Sequence, residues 1–266
     1  MKVALFDAYN LIHRARSGFT RGDNAIVYNF FRGLRPLVEM HNPDRAYFVL
    51  EGMPKHRIAA LPDYKGDRVS PGDSFHRQKK TIINLIKSSF PFWVVQHDDL
   101  ECDDLIGNLA QYHDSMGDEC VVISGDSDFI QLLDTNPAVK IYHPIKKAYI
   151  EKPDYNYLDW KALCGDKTDN IPGIKGVGAK TAEKLVRDRV LMNTFLSDGE
   201  KKEIFERNKL LIRFEGIENF RPCDHLISEG RLHEGTIQEA FKAMEFNSIL
   251  KEKTWKKFTQ TFENLR

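Results

Sequence analysis

Cys-Gly-Asp-Lys-Thr-Asp-Asn-Ile-Pro-Gly-Ile-Lys-Gly-Val-Gly-Ala-Lys-Thr-Ala-Glu-Lys-Leu, residues 164–185, joins a pair of carboxylates to a glycine-rich turn. Asp166 and Asp169 are three residues apart, so both carboxylates are expected on one side of a helical turn. Proline and glycine then cluster over residues 172–178, which predicts a tight hairpin. Residues 179–185 are expected to begin a helix after it.

Glycines just before a helix are typical of sites where backbone N–H groups bind phosphate. A P-loop is excluded because Ala179 separates Gly178 from Lys180, and a Rossmann fingerprint is excluded because its third glycine is missing. A helix–hairpin–helix remains, an element that holds a nucleic-acid backbone without reading bases. The alternative is a plain packing joint between two helices.

The chain of 266 residues is long enough for one large domain or two small ones, and its hydrophobic content of 41% is typical of a globular protein. No apolar run is long enough for a transmembrane helix, and no signal peptide is evident. We therefore expect a cytoplasmic protein that does not bind membranes, and we expect a monomer. The four cysteines lack zinc-site spacing, which favours inert thiols in a reducing compartment.

The formal net charge is zero, with 39 basic and 39 acidic residues, which is not the usual signature of a nucleic-acid-binding protein. The charges are unevenly distributed, however, because residues 52–90 contain eight basic and three acidic residues. Within this range, residues 52–80 are polar and rich in turn-forming residues, and loops of this length are usually functional or disordered. A basic groove beside an acidic pit would also give a net charge of zero.

Short apolar runs alternate with helical patterns in the first half of the chain. The predicted strands are residues 2–6, 46–50, 92–96, 120–123 and 139–142, and helical patterns include residues 24–40 and 81–90. This alternation predicts an α/β fold with a parallel, doubly wound sheet and helices on both faces. Beyond residue 158 the pattern is helical throughout, including residues 201–213 and 232–250, and it ends in a basic tail at 251–266. We therefore predict an α/β domain over residues 1–158 and a helical domain over residues 159–266.

Acidic residues follow the predicted strands, where doubly wound folds place their sites. The set comprises Asp7, Glu51, Glu101, Asp103, Asp104, Asp126 and Asp128, together with Asp166 and Asp169 from the hairpin region. Any single member could be a helix cap or a turn residue. Two carboxylates about 4 Å apart repel by roughly 4 kcal/mol at an effective dielectric constant of 20, so the whole set in one pit indicates bound cations.

The chemistry of these ligands indicates which cations are expected. No His or Cys accompanies the carboxylates at ligand spacing, and oxygen ligands favour Mg²⁺ or Mn²⁺ over zinc. Two such ions about 4 Å apart are typical of enzymes that hydrolyse phosphodiesters by in-line displacement. The sequence therefore predicts a site for two divalent metal ions.

Five motifs along residues 1–190 occur in the order that is typical of one nuclease family. They are Leu-Phe-Asp-Ala-Tyr-Asn (5–10), Leu-Pro-Asp-Tyr-Lys-Gly-Asp-Arg (61–68), Leu-Glu-Cys-Asp-Asp-Leu-Ile (100–106), Ile-Ser-Gly-Asp-Ser-Asp-Phe-Ile-Gln-Leu-Leu (123–133) and Gly-Asp-Lys-Thr-Asp-Asn-Ile-Pro-Gly-Ile-Lys-Gly-Val-Gly-Ala-Lys-Thr-Ala (165–182). On these motifs the chain resembles the flap endonuclease family, which includes the 5′-nuclease domain of bacterial DNA polymerase I and the stand-alone 5′–3′ exonucleases of phages. The resemblance implies a PIN-like version of the predicted sheet.

The resemblance also implies how the metal ligands divide between two Mg²⁺ ions, for which Mn²⁺ is expected to substitute. The first ion would be held by Asp7, Glu51, Glu101, Asp103 and Asp104. The second would be held, in part through water, by Asp126, Asp128, Asp166 and Asp169. The family usually has Asp at the position of Glu51, and the longer side chain is expected to reach the ion directly or through water.

A helical arch, or gateway, over about residues 52–80 is implied as well, with Tyr64, Lys65 and Arg68 at its base. Lys65 and Arg68 are expected to act in catalysis by neutralising charge on the scissile phosphate, and Asp126 is expected to be essential for cleavage. Tyr64 is expected to stack an unpaired base, an interaction worth roughly 1–3 kcal/mol, and an ordinary half-buried tyrosine is the alternative. Residues 66–80 are few for an arch with two long helices.

Residues 170–187 resemble the helix–hairpin–helix of the family, which implies a grip on the duplex backbone and a K⁺ ion that bridges carbonyl oxygens to a phosphate. The implied DNA-binding residues are Gly173, Lys175, Gly176, Gly178, Lys180 and Thr181. The alternative for the two lysines is solvated surface.

Together, the residues and the resemblance predict a Mg²⁺-dependent, structure-specific 5′ nuclease. Its substrate would be DNA with a 5′ flap or a free 5′ end, in replication or repair. Two alternatives stay open at this point. One is an RNase H-type enzyme that removes RNA primers from RNA–DNA hybrids, and the other is a non-catalytic protein that binds branched DNA.

Overall fold

The computed structural model describes residues 1–18, 20, 22–263 and 265. The strands are β1 (Lys2–Asp7), β2 (Arg45–Val49), β3 (Trp93–Val95), β4 (Glu119–Ile123), β5 (Val139–His143), β6 (Ala148–Tyr149), β7 (Gly165–Asp166), β8 (Ile171–Pro172) and β9 (Leu226–Glu229). The helices are α1 (Ala8–Arg16), α2 (Ala25–His41), α3 (Lys55–Ala60), α4 (Asp73–Ser89), α5 (Cys102–Ser115), α6 (Leu132–Thr135), α7 (Tyr157–Cys164), α8 (Ala179–Arg187), α9 (Arg189–Phe195), α10 (Gly199–Ile212), α11 (Glu234–Ala243), α12 (Asn247–Leu250) and α13 (Glu252–Glu263). Two 3₁₀ helices cover Ser127–Gln131 and Pro222–His225.

The main sheet has the strand order β6–β5–β4–β1–β2–β3–β9. Strand β1 pairs in parallel with both β2 and β4, and the parallel pairing continues to β3 on one side and β5 on the other. The edge strands β6 and β9 are antiparallel to their neighbours. The apolar residues 3–6 of β1 are all buried, as expected for a parallel strand that is covered on both faces. The predicted doubly wound α/β fold is confirmed.

Helices pack on both faces of the sheet, and alternate residues of β1 point to each face. Ala4 and Phe6 pack in a core with residues of α1, α2 and α4. Val3 and Leu5 pack in the opposite core, which includes residues of α5. The two helical layers leave the carboxyl ends of the parallel strands as the edge where a site can form.

A third core lies in the helical region formed by α7, α8, α9 and α10, around Leu163, Ile174, Ala182 and Phe205. The prediction that the chain is helical throughout beyond residue 158 is wrong, because strands β7, β8 and β9 all lie in this part of the chain. Strand β9 pairs with β3 at the edge of the main sheet, and Phe241, Phe258 and Phe262 pack in the same core as α2 and α4. The chain therefore returns to the α/β layers after the helical region.

Two local predictions also differ from the structure. Helix α4 begins at Asp73 rather than at residue 81, so much of the predicted loop over residues 52–80 is helical. Residues 165–172 form a small antiparallel hairpin of β7 and β8 rather than a helical turn, because Asp166 pairs with Ile171. Among the helices of the described residues, none combines the length and the apolarity needed to span a membrane.

Candidate metal centre

Four carboxylates lie at the carboxyl ends of the parallel strands and carry no direct ion pair within the described residues. We call Asp7, Glu51, Asp103 and Asp126 the inner carboxylates. Asp7 is the last residue of β1 and caps α1, and Asp126 follows β4 and caps the 3₁₀ helix. Ser124 Oγ donates to Asp7 Oδ2 at 2.7 Å, which joins the ends of these two strands.

The inner carboxylates are buried or half-buried and raise one another's pKa values. Burial, with repulsion from Asp126, raises the pKa of Asp7 to about 6. Burial, followed by repulsion from Glu101, raises the pKa of Glu51 to about 7, and the pKa of Asp103 is raised by burial and by Asp7 and Asp126. Burial also raises the pKa of Asp126. These raised pKa values favour the neutral forms of the carboxylates, because too little positive charge lies nearby to stabilise the ionised forms.

A second group converges more closely. We call Asp128, Asp166 and Asp169 the outer carboxylates, because one oxygen of each lies within 4.8 Å of the others. Arg68 Nη2 lies 2.6 Å from Asp169 Oδ1, and Thr168 donates from its N–H and its hydroxyl to Asp166 Oδ1 at 2.8 and 2.6 Å. Three carboxylate oxygens at this separation offer the oxygen ligands that Mg²⁺ and Mn²⁺ prefer.

The ammonium group of Lys161 neutralises part of the negative charge of the outer carboxylates. This residue was not identified from the sequence. Its ammonium group contacts Asp128 Oδ1 and lies 2.6 Å from Asp166 Oδ2, and its side chain is buried. Burial alone would raise the pKa of Asp166, but Lys161 and Thr168 together hold it below its usual value. The only signal in the sequence is a single lysine within the otherwise apolar run Trp-Lys-Ala-Leu-Cys of residues 160–164.

Glu101 is surrounded by donors rather than by other acids. Tyr64 donates its hydroxyl to Glu101 Oε2 at 2.9 Å and to Asp169 Oδ2 at 3.2 Å, and Lys65 contacts Glu101 Oε1. Tyr64 is only 7% exposed. The stacking of an unpaired base on Tyr64 stays a prediction, and in this structure the tyrosine is buried. Its phenol links Glu101 to the outer carboxylates.

Asp104 was predicted as a ligand of the first ion, and its contacts contradict that assignment. Its side chain is fully buried, and Arg57 donates to both of its oxygens at 2.7 and 2.6 Å. The backbone N–H groups of Glu101 and Glu215 donate to the same two oxygens at 3.1 and 2.9 Å. All the lone-pair directions of the carboxylate are therefore used, so Asp104 has none left for a metal ion.

The gateway segment is fastened to the hairpin region at its base. Helix α3, the turns of residues 62–67 and the start of α4 occupy the range predicted as an arch. The N–H of Lys65 donates to Asp169 O at 3.1 Å, and Asn170 Nδ2 donates to Asp63 O at 3.0 Å. These bonds place Lys65 and Arg68 beside the outer carboxylates.

The glycine-rich hairpin presents backbone groups and lysines to solvent. Gly173 packs so closely that a Cβ atom would lie 2.1 Å from Cys164 O, and Gly176 has a φ of +81°, which favours glycine. Lys175, Lys180 and Thr181 are exposed. The N-cap residue of α8 is Gly178, which has no side chain to accept from the first N–H groups, and such groups commonly bind phosphate.

The residues present fit a centre for divalent cations. The inner carboxylates carry raised pKa values, and the outer carboxylates converge. Of the positive groups that touch the acids, Arg68 is half exposed and Lys65 has a flexible side chain, whereas Lys161 is buried. A site of this donor chemistry takes Mg²⁺ or Mn²⁺. The division of ligands between two particular ions stays a prediction.

The acidic centre at the carboxyl ends of parallel strands and the hairpin with an open helix N-terminus are the arrangement of a nuclease. Comparison with known families supports the same class. A family described as the 5′–3′ exonuclease, N-terminal resolvase-like domain, matches residues 2–159, and the 5′–3′ exonuclease, C-terminal SAM fold, matches residues 152–227. The chain therefore belongs to the 5′–3′ exonuclease family, and the resemblance to flap endonucleases is confirmed.

Relatives among known proteins include DNA polymerase I of Streptococcus pneumoniae, which is 34% identical over 244 residues, covering 85% of this chain and 25% of that protein. DNA polymerase I of Caldicellulosiruptor bescii is 28% identical over 230 residues, covering 79% of this chain and 27% of that protein. The chain thus spans about a quarter of the length of these relatives.

Solved structures share the fold. The bacteriophage T5 protein co-crystallised with metal ions has a TM-score of 0.66 at 17% identity, with 98% of both chains covered. The catalytic core of Rad2 in complex with a DNA substrate has a TM-score of 0.60 at 14% identity, covering 94% of this chain and 91% of that one.

Proposed function

We propose that this chain is a Mg²⁺-dependent, structure-specific 5′ nuclease that cleaves DNA at a 5′ flap or a free 5′ end, in replication or repair. Water would attack the phosphodiester in line and leave a 5′-phosphate and a 3′-hydroxyl. The observation that carries the proposal is the group of inner and outer carboxylates beside a basic gateway. The proposal is supported by the related flap endonuclease of bacteriophage T5, which has been crystallised as a pseudo-enzyme–product complex with DNA and metal ions.

The ligands of the proposed centre are the inner carboxylates, the outer carboxylates and Glu101, with Asp104 removed from the predicted set. Bound divalent ions would supply Lewis acids that lower the pKa of water and neutralise charge on the phosphate oxygens. Within the first set, Asp7 and Asp103 are held rigidly by β1 and by the first turn of α5. Mn²⁺ is expected to substitute for Mg²⁺ because both take oxygen ligands.

Lys65 and Arg68 are proposed to change partners when the substrate binds. In the absence of substrate they neutralise Glu101 and Asp169. The scissile phosphate would compete for the same ammonium and guanidinium groups, which would then stabilise the charge that develops on its oxygens. Arg68 is half exposed, so it can make this exchange at little cost in desolvation.

The hairpin of residues 170–187 is proposed to hold the duplex away from the cleaved bond. The open N–H groups of α8, with Lys175 and Lys180, are suited to a phosphate, and a K⁺ ion is proposed to bridge hairpin carbonyls to the backbone. The division into a nuclease part, residues 1–158, and a DNA-binding helical part remains our proposal. The monomeric state and the cytoplasmic location stay predictions.

The hairpin proposal predicts the effect of removing both lysines. Lys175→Ala with Lys180→Ala is expected to weaken binding of a flap duplex and to reduce the slope of log affinity against log salt by about 2, because two phosphate contacts are lost. Fluorescence anisotropy over a range of KCl concentrations measures both quantities. Lys242→Ala, an exposed lysine of α11, is the matched control and should leave the slope unchanged. An unchanged slope in the double variant would show that these lysines are only solvated surface.

The proposed function is tested with a labelled 5′-flap duplex, incubated with and without Mg²⁺. Cleavage that requires Mg²⁺ and leaves a 5′-phosphate is the expected result. Tight binding without cleavage would instead support a non-catalytic protein that binds branched DNA. Matched flaps of RNA and DNA form a second arm, in which a strong preference for RNA would favour the RNase H-type alternative.

A further inference from the structure

Arg57 uses every donor of its guanidinium group, although nothing in its sequence context marks it. It lies in α3 and is 3% exposed. Its Nε donates to Leu211 O at 2.8 Å, and its Nη2 donates to Arg213 O at 3.0 Å and to Asp104 Oδ1 at 2.6 Å. Its Nη1 donates to Asp104 Oδ2 and to Glu101 Oε2, both at 2.7 Å. Five N–H donors therefore meet five acceptors.

These five bonds join three separate parts of the fold. Helix α3 begins the gateway, Glu101 and Asp104 form the capping box of α5, and the two carbonyls belong to the C-terminal end of α10 in the helical region. Lysine could not replace this pattern, because its ammonium has three donors at a single point rather than a planar fork.

Arg57 contacts one of the two carboxylate oxygens of Glu101, so the two oxygens have different hydrogen-bond partners. Glu101 Oε2 accepts from Arg57 and from the Tyr64 hydroxyl, both within 2.9 Å. Glu101 Oε1 contacts Lys65, whose Nζ also lies 3.7 Å from Asp169 Oδ2. One oxygen is thus fixed by two buried groups, and the other faces a flexible cation beside the outer carboxylates.

The residues at the end of α10 and just after it are also hydrogen-bonded to the same centre. Gln131 Nε2 donates to Ile212 O at 3.2 Å and to Asp128 O at 2.9 Å, and the N–H of Phe214 donates to Gln131 Oε1 at 3.3 Å. Arg57 and Gln131 therefore both form hydrogen bonds with the backbone of residues 211–214, next to Glu101 and Asp128. The position of the helical region is coupled to the position of both carboxylates.

We propose that Arg57 is a positioning residue for the reaction. It holds Glu101 so that Oε1 alone is offered to the metal centre, and it fixes the position of the helical region relative to that centre. The proposal rests on the proposed function. Arg57 touches neither substrate nor reacting atoms, so it acts through Glu101 and residues 211–213. A purely structural role, in which Arg57 only neutralises the buried Asp104, is the competing account.

Arg57→Lys is the first test variant, because it keeps the charge. It is expected to lower kcat by about 10–100-fold, the usual effect of losing a group that orients a metal ligand. The Mg²⁺ concentration at half-maximal rate should rise, while the Kd for a flap duplex measured in Ca²⁺ stays within about twofold, because the hairpin is intact. Without DNA, Mg²⁺ should raise the Tm of both proteins. The Mg²⁺ concentration that gives half of this rise should increase in Arg57→Lys by about the same factor as the Mg²⁺ concentration at half-maximal rate. Arg45→Lys is the matched control, since Arg45 stacks on Trp93 away from the centre.

The double variant Arg57→Met with Asp104→Leu separates positioning from charge balance. It removes both buried charges, but it leaves the carbonyls of Leu211 and Arg213 and the N–H groups of Glu101 and Glu215 without these partners. The metal-free Tm should therefore be higher than that of Arg57→Met alone, which leaves Asp104 buried and unpaired, whereas kcat and the Mg²⁺ midpoint should stay as impaired as in Arg57→Met because Glu101 has lost its partner. Recovery of kcat along with Tm would overturn the proposal, as would wild-type kinetics in Arg57→Lys. If the wild type does not cleave DNA at all, the proposed function fails, and the Mg²⁺-dependent shift in Tm still decides the role of Arg57.

Discussion

Asp126→Asn is expected to lower the rate of flap cleavage by about a thousandfold while leaving the affinity for DNA nearly unchanged. Asp126 interacts electrostatically with both carboxylate groups, because its charge adds to burial in raising the pKa of Asp7 and Asp103, and its own pKa is raised by burial and by Asp169 and Asp166. A neutral amide binds divalent cations poorly, and losing several kcal/mol of transition-state stabilisation corresponds to this factor. Single-turnover cleavage and anisotropy on the same flap duplex measure the two quantities.

The same variant has a signature that does not depend on activity. Removing one charge from a crowded set of carboxylates relieves repulsion, so the metal-free Tm of Asp126→Asn should be higher than that of the wild type. Glu218→Gln, an exposed acid distant from the centre in the sequence, serves as the control and should change neither rate nor Tm. If Asp126→Asn cleaved DNA at the wild-type rate, the assignment of Asp126 to the metal centre would be wrong.

Glu51→Gln is expected to be more stable than the wild type at pH 8 and equally stable at pH 4.5, when both proteins are free of metal. The folded chain keeps a proton on Glu51 up to a pKa of about 7, whereas the unfolded chain releases it near 4.5. The folded state thus binds more protons in this window, so the wild type loses stability as the pH rises through it. A shift of this size corresponds to about 3 kcal/mol.

Urea denaturation of both proteins at several pH values in EDTA measures this difference. Histidines with lowered pKa values, such as His113, contribute to each protein alike and cancel in the comparison. Saturating Mg²⁺ should remove or reverse the advantage of Glu51→Gln, because ion binding stabilises the wild type by mass action. A difference in stability that does not vary with pH would mean that Glu51 is ionised in the folded protein and has no place among crowded carboxylates.

The sheet and the acids at its edge could be predicted because both depend on local pattern. Apolar runs of four to six residues, such as 2–6 and 120–123, can only be buried strands when helices separate them, and the acids follow them directly in the chain. Strand β9 was missed because it is a half-exposed edge strand of four residues, Leu-Ile-Ser-Glu, whose partner β3 is distant in the sequence. The sequence pattern of so short a strand carries little information.

The roles of Lys161 and Arg57 could not be predicted, because they depend on contacts between residues that are distant in the sequence. Lys161 meets Asp128 and Arg57 meets Asp104 across 33 and 47 positions of the chain. Asp103 and Asp104 look equivalent in sequence, and only the direction of α5 decides that Asp104 points to Arg57 while Asp103 joins the inner carboxylates. The burial of Tyr64 could not be predicted for a related reason, because it follows from the packing of residues 62–67 against Asp169.

Calorimetric titration of the metal-free protein with Mn²⁺ at neutral pH tests the central claim most directly, since it measures whether these carboxylates bind divalent cations at all. The account predicts saturable binding of two ions per chain, with weaker binding after Asp126→Asn and no change after Glu218→Gln. Heats that do not exceed dilution for the wild type, or identical isotherms for the wild type and Asp126→Asn, would contradict it.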